Sequence, residues 1–159
     1  MAGSTTKKAV IRRYEKEALT GYVNPGSYLQ PAGVELLSID GAILNVPYVD
    51  IRSIAFVRDF EHTDEDQRQV FHTRPKMEGL WVRFQFRDGE VMEGVMPNNL
   101  LQLDPYGFTA IPPDPYSPSQ RVFIPRVALR AVEVLGVIGS PLKRKPKAAP
   151  DQIGLFDET

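Results

Sequence analysis

The residue types able to do chemistry in this chain fall in two segments. His62, Asp64, Glu65, Asp66 and His72 bring imidazole and carboxylate groups together in one charged stretch, the donor chemistry of a divalent-metal site. Their spacing matches no established ligand pattern, and Asp64-x-Asp66 lacks the glycine and distal glutamate of a calcium loop, so a solvated charged loop is expected and no metal. Ser117 and Ser119 stand among prolines with no base nearby in sequence. No phosphate-binding glycine loop, nucleophile elbow or dinucleotide fingerprint occurs, so no catalytic residue is assigned and an enzyme is not expected. The second segment is Gln152-Ile153-Gly154-Leu155-Phe156, which follows Lys143, Arg144, Lys145 and Lys147. An extended peptide of this kind can seat Leu155 and Phe156 in an apolar pocket while the Gln152 amide makes directional hydrogen bonds.

Bulk composition narrows the remaining classes. Of 159 residues, 42% are apolar and 25% charged, as in a soluble folded protein. With no cysteine, disulfides, thiolate zinc sites and cysteine nucleophiles are excluded. A net charge of −1 supplies no whole-molecule field for nucleic acid or anionic lipid. The N-terminal segment lacks an apolar signal core and no apolar run reaches membrane-spanning length, so a cytoplasmic protein without membrane contact or cofactor is expected.

The elements that would carry these segments are short strands. Val46-Pro47-Tyr48-Val49-Asp50-Ile51-Arg52-Ser53-Ile54 is echoed by Ile124-Pro125-Arg126-Val127-Ala128-Leu129-Arg130-Ala131-Val132, with seven of nine positions matching in identity or class. Pro47 and Pro125 cannot donate to a sheet ladder and should each end a strand. A short turn follows, in which Val49 with Ile51 and Val127 with Leu129 are expected to face inward. Arg52 and Arg130 then open the next strand.

Upstream, two β-type runs from Lys8 to Val23 form a hairpin around Glu15-Lys16-Glu17, Asn24-Pro25-Gly26-Ser27 is a turn, and Gly33–Ile39 and Ala42–Val46 are strands around Asp40-Gly41. In the second half Leu80, Val82, Phe84 and Phe86 alternate with polar residues ahead of the Arg87-Asp88-Gly89-Glu90 hairpin, and Val91–Met96 returns. Gly33-Val34 corresponds to Gly107-Phe108, and Pro112–Pro118 is an insertion. The reading is a mostly β chain of two tandem five-stranded small barrels. The first covers 7–60 and the second 79–138. A charged connector, 61–78, joins them with Phe60 and Phe71 packing back, and a disordered basic tail, 139–159, follows.

This strand order resembles SH3-like and Sm-like small barrels. Val122-Phe123-Ile124-Pro125 followed by Val127 resembles the SH3-type corner in which a proline precedes one helical turn. The aromatic peptide-binding signature of signalling SH3 domains and the base-binding residues of Sm proteins are not recognisable. The paired units, with Phe56-Val57-Arg58-Asp59-Phe60 and Asp88-Gly89-Glu90, also resemble an uncharacterised family of bacterial proteins, which implies no particular activity. The tail pentapeptide, Gln152, Ile153, Leu155 and Phe156 about a tolerant Gly154, is similar to the motif by which bacterial polymerases and mismatch-repair proteins bind the replicative sliding clamp. That resemblance implies a non-enzymatic adapter serving replication or repair, nucleoid-associated when clamp-bound, with Lys143, Arg144, Lys145 and Lys147 placed to touch DNA phosphates. The alternative is a free-standing protein- or RNA-interaction module whose tail folds back on its own barrel. Exposed barrel edges leave a homodimer open.

Overall fold

The computed structural model describes residues 6–60, 69–113 and 119–139. It is mostly β, with no α-helix among the described residues. The strands are β1 (Lys7–Arg13), β2 (Lys16–Val23), β3 (Leu29–Gln30), β4 (Gly33–Ser38), β5 (Ile43–Val46), β6 (Ile51–Val57), β7 (Gly79–Phe86), β8 (Val91–Met96), β9 (Gly107–Ala110), β10 (Ser119–Pro125) and β11 (Leu129–Ile138). Short 3-10 turns lie at Tyr48–Asp50, Leu100–Gln102 and Arg126–Ala128. The two prolines behave alike: Pro47 (φ −63°, ψ 142°) and Pro125 (φ −63°, ψ 144°) each close a strand and lead into one such turn. Pro supplies the φ and lacks the donor that a continuing ladder would need.

Strand pairing crosses the midpoint of the chain instead of closing within each half. β4 pairs with β2, β2 with β1, β1 with β6, β6 with β10 and β10 with β9, all antiparallel, in one sheet that curls into a half-barrel. β3 and β5 flank β4, and a smaller sheet runs β8-β7-β11. The two sheets meet where Val95 and Ile111 exchange backbone hydrogen bonds of 3.0 and 2.9 Å. Followed from partner to partner, the array therefore runs from β5 at one end to β11 at the other.

β10 makes the crossing hold. Phe123 is fully buried in a core with Ile11, Val23, Tyr28, Leu36, Ile51 and Ile54 from the first half. Its sequence neighbours Val122 and Ile124 point the other way, into a core with Val82, Phe84, Phe86, Met92, Met96 and Ala128. A strand puts successive side chains on opposite faces, so the unbroken apolar run Val122-Phe123-Ile124 serves two cores at once. Phe60 closes a third, smaller cluster with Val10, Ala55 and Val57 and meets Tyr22 edge-on. Phe71 likewise packs edge-on against Trp81, so both connector phenylalanines fold back as their sequence context suggested.

The turn valines are a correction. Val49 (58% exposed) and Val127 (53%) face solvent, and their inward neighbours are Ile51 and Ala128. A one-turn 3-10 segment with three residues per turn presents only one side to the core, taken by Ile51 just after the first turn and by Ala128, the last residue of the second. Both turns are tied to Arg87, whose guanidinium donates to the carbonyls of Val49 (2.8 Å) and Val127 (3.3 Å) and rests 4.0 Å from the Tyr14 ring centroid. Arg52 covers the Phe86 ring at 4.3 Å and pairs with Asp88. Desolvation alone would raise the Asp88 carboxyl, but the Glu90 backbone N–H and the Arg52 guanidinium outweigh it and hold the group below its ordinary range.

Candidate functional site

A cleft of about 730 Å³ opens along the β6–β10 junction, lined by residues of both halves. Tyr28 and Phe56 form its apolar wall, their rings edge-on with centroids 5.6 Å apart. Tyr28 is placed by the turn before it, where the Asn24 side chain accepts from the Gly26 N–H and the Asn24 carbonyl accepts from the Ser27 and Tyr28 N–H groups. Across the cleft Thr109 donates to the Asp104 carboxylate. Burial, with the nearby Asp104 charge adding to it, pushes the Tyr28 phenol well above the ordinary tyrosine value. Lys7 and Arg121 against Glu78 and Asp104 give the cleft a mixed lining, suited to an uncharged or zwitterionic segment better than to a polyanion.

One rim of the cleft is apolar. Gln102 and Asp104 line it, and beside them Leu100 (79% exposed), Leu101 (94%) and Leu103 (45%) project from the 3-10 turn between β8 and β9. The Asn99 side chain accepts from the Leu101 N–H at 3.0 Å and caps this turn, so the leucines stand on a built projection. Tyr106 (φ 69°) follows it and stacks on Tyr48 with centroids 5.0 Å apart. The Tyr48 hydroxyl donates to the Gln30 carbonyl at 2.6 Å, and desolvation, reinforced by Tyr106, raises this phenol to about 12.

A buried carboxylate lies on the small sheet. Glu93, 6% exposed, accepts from the Trp81 indole N–H and the Phe71 N–H, both at 3.1 Å, with Arg83 at 4.0 Å. All its partners are structural, and they tie the end of the connector to β7 and β8.

The residues assigned from sequence distribute unevenly over this picture. Gln152, Ile153, Leu155, Phe156, Lys143, Arg144, Lys145 and Lys147 lie outside the described residues, as do His62, Asp64, Glu65, Asp66 and Ser117. His72 is described and exposed, and among the described residues no group of three His, Cys, Asp or Glu side chains is placed to hold a metal ion. No helix of the described residues is long and apolar enough to cross a membrane. Tyr28, Asp104, Thr109 and the Leu100–Leu103 projection went unassigned from sequence. The one available signal was Leu100-Leu101-Gln102-Leu103, an apolar run too short for a strand after Asn98-Asn99.

Together these features define a mostly β protein with a curled sheet and a cleft at the joint of its two halves. A family model described as "Family of unknown function (DUF6982)" matches residues 5–136, and the chain belongs to that family. No curated protein and no solved structure matches the chain.

Proposed function

We propose that the protein is a non-enzymatic adapter. Its β body offers the Leu100–Leu103 projection and the adjoining cleft to a protein partner, and the Gln152–Phe156 peptide binds the bacterial sliding clamp. The observation that carries the adapter reading is the display of Leu100 and Leu101 beside a cleft of mixed charge, since leucines this exposed stabilise nothing in the body itself. The clamp reading is supported by sequence: the family match ends at residue 136, before the peptide begins. Gln152 stands thirteen positions after Gly139, a reach of up to about 45 Å for an extended chain. Lys143, Arg144, Lys145 and Lys147 within that span would add salt-dependent contact to DNA threaded through a clamp.

In the same reading the two halves are copies of one SH3- or Sm-like unit. Repeated geometry supports it. At Gly33 an added Cβ would collide with the carbonyl oxygen of Val46, and at Gly107 with that of Ile124, the residues before the two prolines. The Tyr14 N–H donates to the Asp50 carbonyl (3.0 Å) as the Arg87 N–H does to that of Ala128 (2.9 Å). β6 skips a residue against β1 between Ile51 and Ser53, and β11 skips one against β7 between Leu129 and Ala131.

The test is binding of the full chain to the sliding clamp, with and without Leu155→Ala plus Phe156→Ala. Removing both anchors should weaken binding at least about a hundredfold, because each buried apolar side chain contributes about 1.5–3 kcal/mol. Equal affinity of both proteins, or no binding by either, removes the clamp from the reading.

A further inference from the structure

We infer that copies of this chain associate head-to-tail, the free edge of β5 in one copy adding as a strand to the free edge of β11 in the next. The inference rests on the two-copy reading of the fold. Inside one chain, β6 pairs antiparallel with β10, and this joins the halves. In the repeat, β5 stands where β10 stands and β11 stands where β6 stands. The contact that joins first half to second half therefore has an unused twin, β11 of one chain against β5 of another. Both lie at the outside of the strand array: among the described residues β5 pairs only with β4, as the two-residue β3 does, and β11 only with β7.

The internal joint dictates the register of its twin. There Arg121, Val122 and Phe123 face Phe56, Ala55 and Ile54. Carried over through the repeat, Ile43, Leu44 and Asn45 face Val134, Glu133 and Val132. That alignment sets Ile43, 71% exposed, against Val134, 59% exposed, with Val132 two residues along on the same face. Adjacent strand residues on one face gain from such apolar pairing, and an open edge carrying exposed β-branched residues is a template for a further strand. β11 skips a residue against β7 twice, near Leu129 and between Val134 and Gly136. The first does not blunt this edge, because the same skip in β6 coexists with its pairing to β10, and the second begins where the register used ends. Arg74 occupies the Val137 carbonyl, beyond the register used.

The outer joint is weaker than the inner one. Where the internal pair buries Phe123 and Ala55, the twin has Asn45 and Glu133, the latter paired with Arg83 at 3.1 Å. Association is thus expected to be reversible and concentration-dependent. Because the two surfaces differ, the contact is heterologous, and the rotation between copies decides between a ring and an open row. An assembly would carry several copies of the Gln152–Phe156 peptide and so raise its avidity.

Mass measurement by sedimentation or light scattering from about 1 µM to about 1 mM tests this. The wild-type chain should pass from monomer to larger species. Ile43→Lys and Val134→Lys, both at exposed positions, should each remain monomeric with an unchanged melting temperature. Mixed in equal amounts they should form a dimer and nothing larger, since each variant supplies the edge that the other lacks. A monomeric wild type, either variant associating alone, or a mixture that stays monomeric overturns the proposal. Failure here is distinct from failure of the two-copy reading, which substitution of Gly33 and Gly107 tests through stability and not through mass, and from failure of the clamp reading, which rests on Leu155 and Phe156.

Discussion

Replacing Phe123 by alanine tests whether one strand holds both halves together. The ring is fully buried, sits edge-on to Tyr28 with centroids 6.0 Å apart, and fills a core otherwise built by the first half of the chain. Removal of a fully buried phenylalanine costs about 3–5 kcal/mol, from lost transfer energy and the cavity left behind. The upper part of that range applies, since the aromatic pair with Tyr28 is lost as well and the flanking backbone is held on both sides by β6 and β9. At about 2–4 °C per kcal/mol for a chain of this size, the melting temperature should fall by roughly 8–20 °C. Calorimetry together with denaturant unfolding, followed by Trp81 fluorescence and by far-UV circular dichroism, measures it. Trp81 lies in the small sheet, remote from the substituted core, so its transition should move together with the backbone signal. Two separated transitions with the Trp81 signal unmoved, or a loss under about 1.5 kcal/mol, would refute the shared-strand reasoning.

Two further predictions follow from the same geometry. Gly33→Ala and Gly107→Ala each set a Cβ against a carbonyl oxygen that backbone pairing prevents from moving, so each should cost about 2–4 kcal/mol in chemical denaturation. A large effect at one and none at the other would break the equivalence of the two halves. For Tyr28 the folded pKa is raised, so its contribution is fully present below the unfolded value near 10 and is lost as pH rises above it. Tyr48, raised to about 12, acts in the same direction. Wild-type stability should fall by up to about 1.4 kcal/mol per pH unit for each such phenol above pH 10. The Tyr28→Phe curve should be flatter, and parallel wild-type and Tyr28→Phe curves between pH 8 and 11 would show that the phenol is not desolvated.

Much of the local structure was legible because it is set by short-range chemistry. Pro47 and Pro125 end strands for reasons internal to one residue, the missing N–H and the fixed φ. The period-two alternation from Leu80 to Phe86 marks a strand with one buried face, which is β7. Turn residues from Asn24 to Ser27 and from Arg87 to Glu90 place their bends by their own hydrogen bonds. The inward placement expected of Val49 and Val127 failed because the direction of a single 3-10 turn is set by contacts from elsewhere in the chain. Here the carbonyls of both valines are held by Arg87, from a hairpin distant in sequence.

The amino-acid order by itself determined that the chain is mostly β, that Pro47 and Pro125 each end a strand, and that one nine-residue pattern is written twice. It also supplied the Gln152–Phe156 peptide, which the body does not repeat. Only the tertiary structure decided which strands are neighbours. The run Val122-Phe123-Ile124 says that both faces of β10 are apolar, yet not which cores receive them, since a strand's partners are chosen by non-local backbone pairing and by the fit of distant side chains. That choice sends β10 to β6, opens the cleft beside Tyr28, raises the Leu100–Leu103 projection at its rim, and leaves β5 and β11, among the described residues, each paired along one edge.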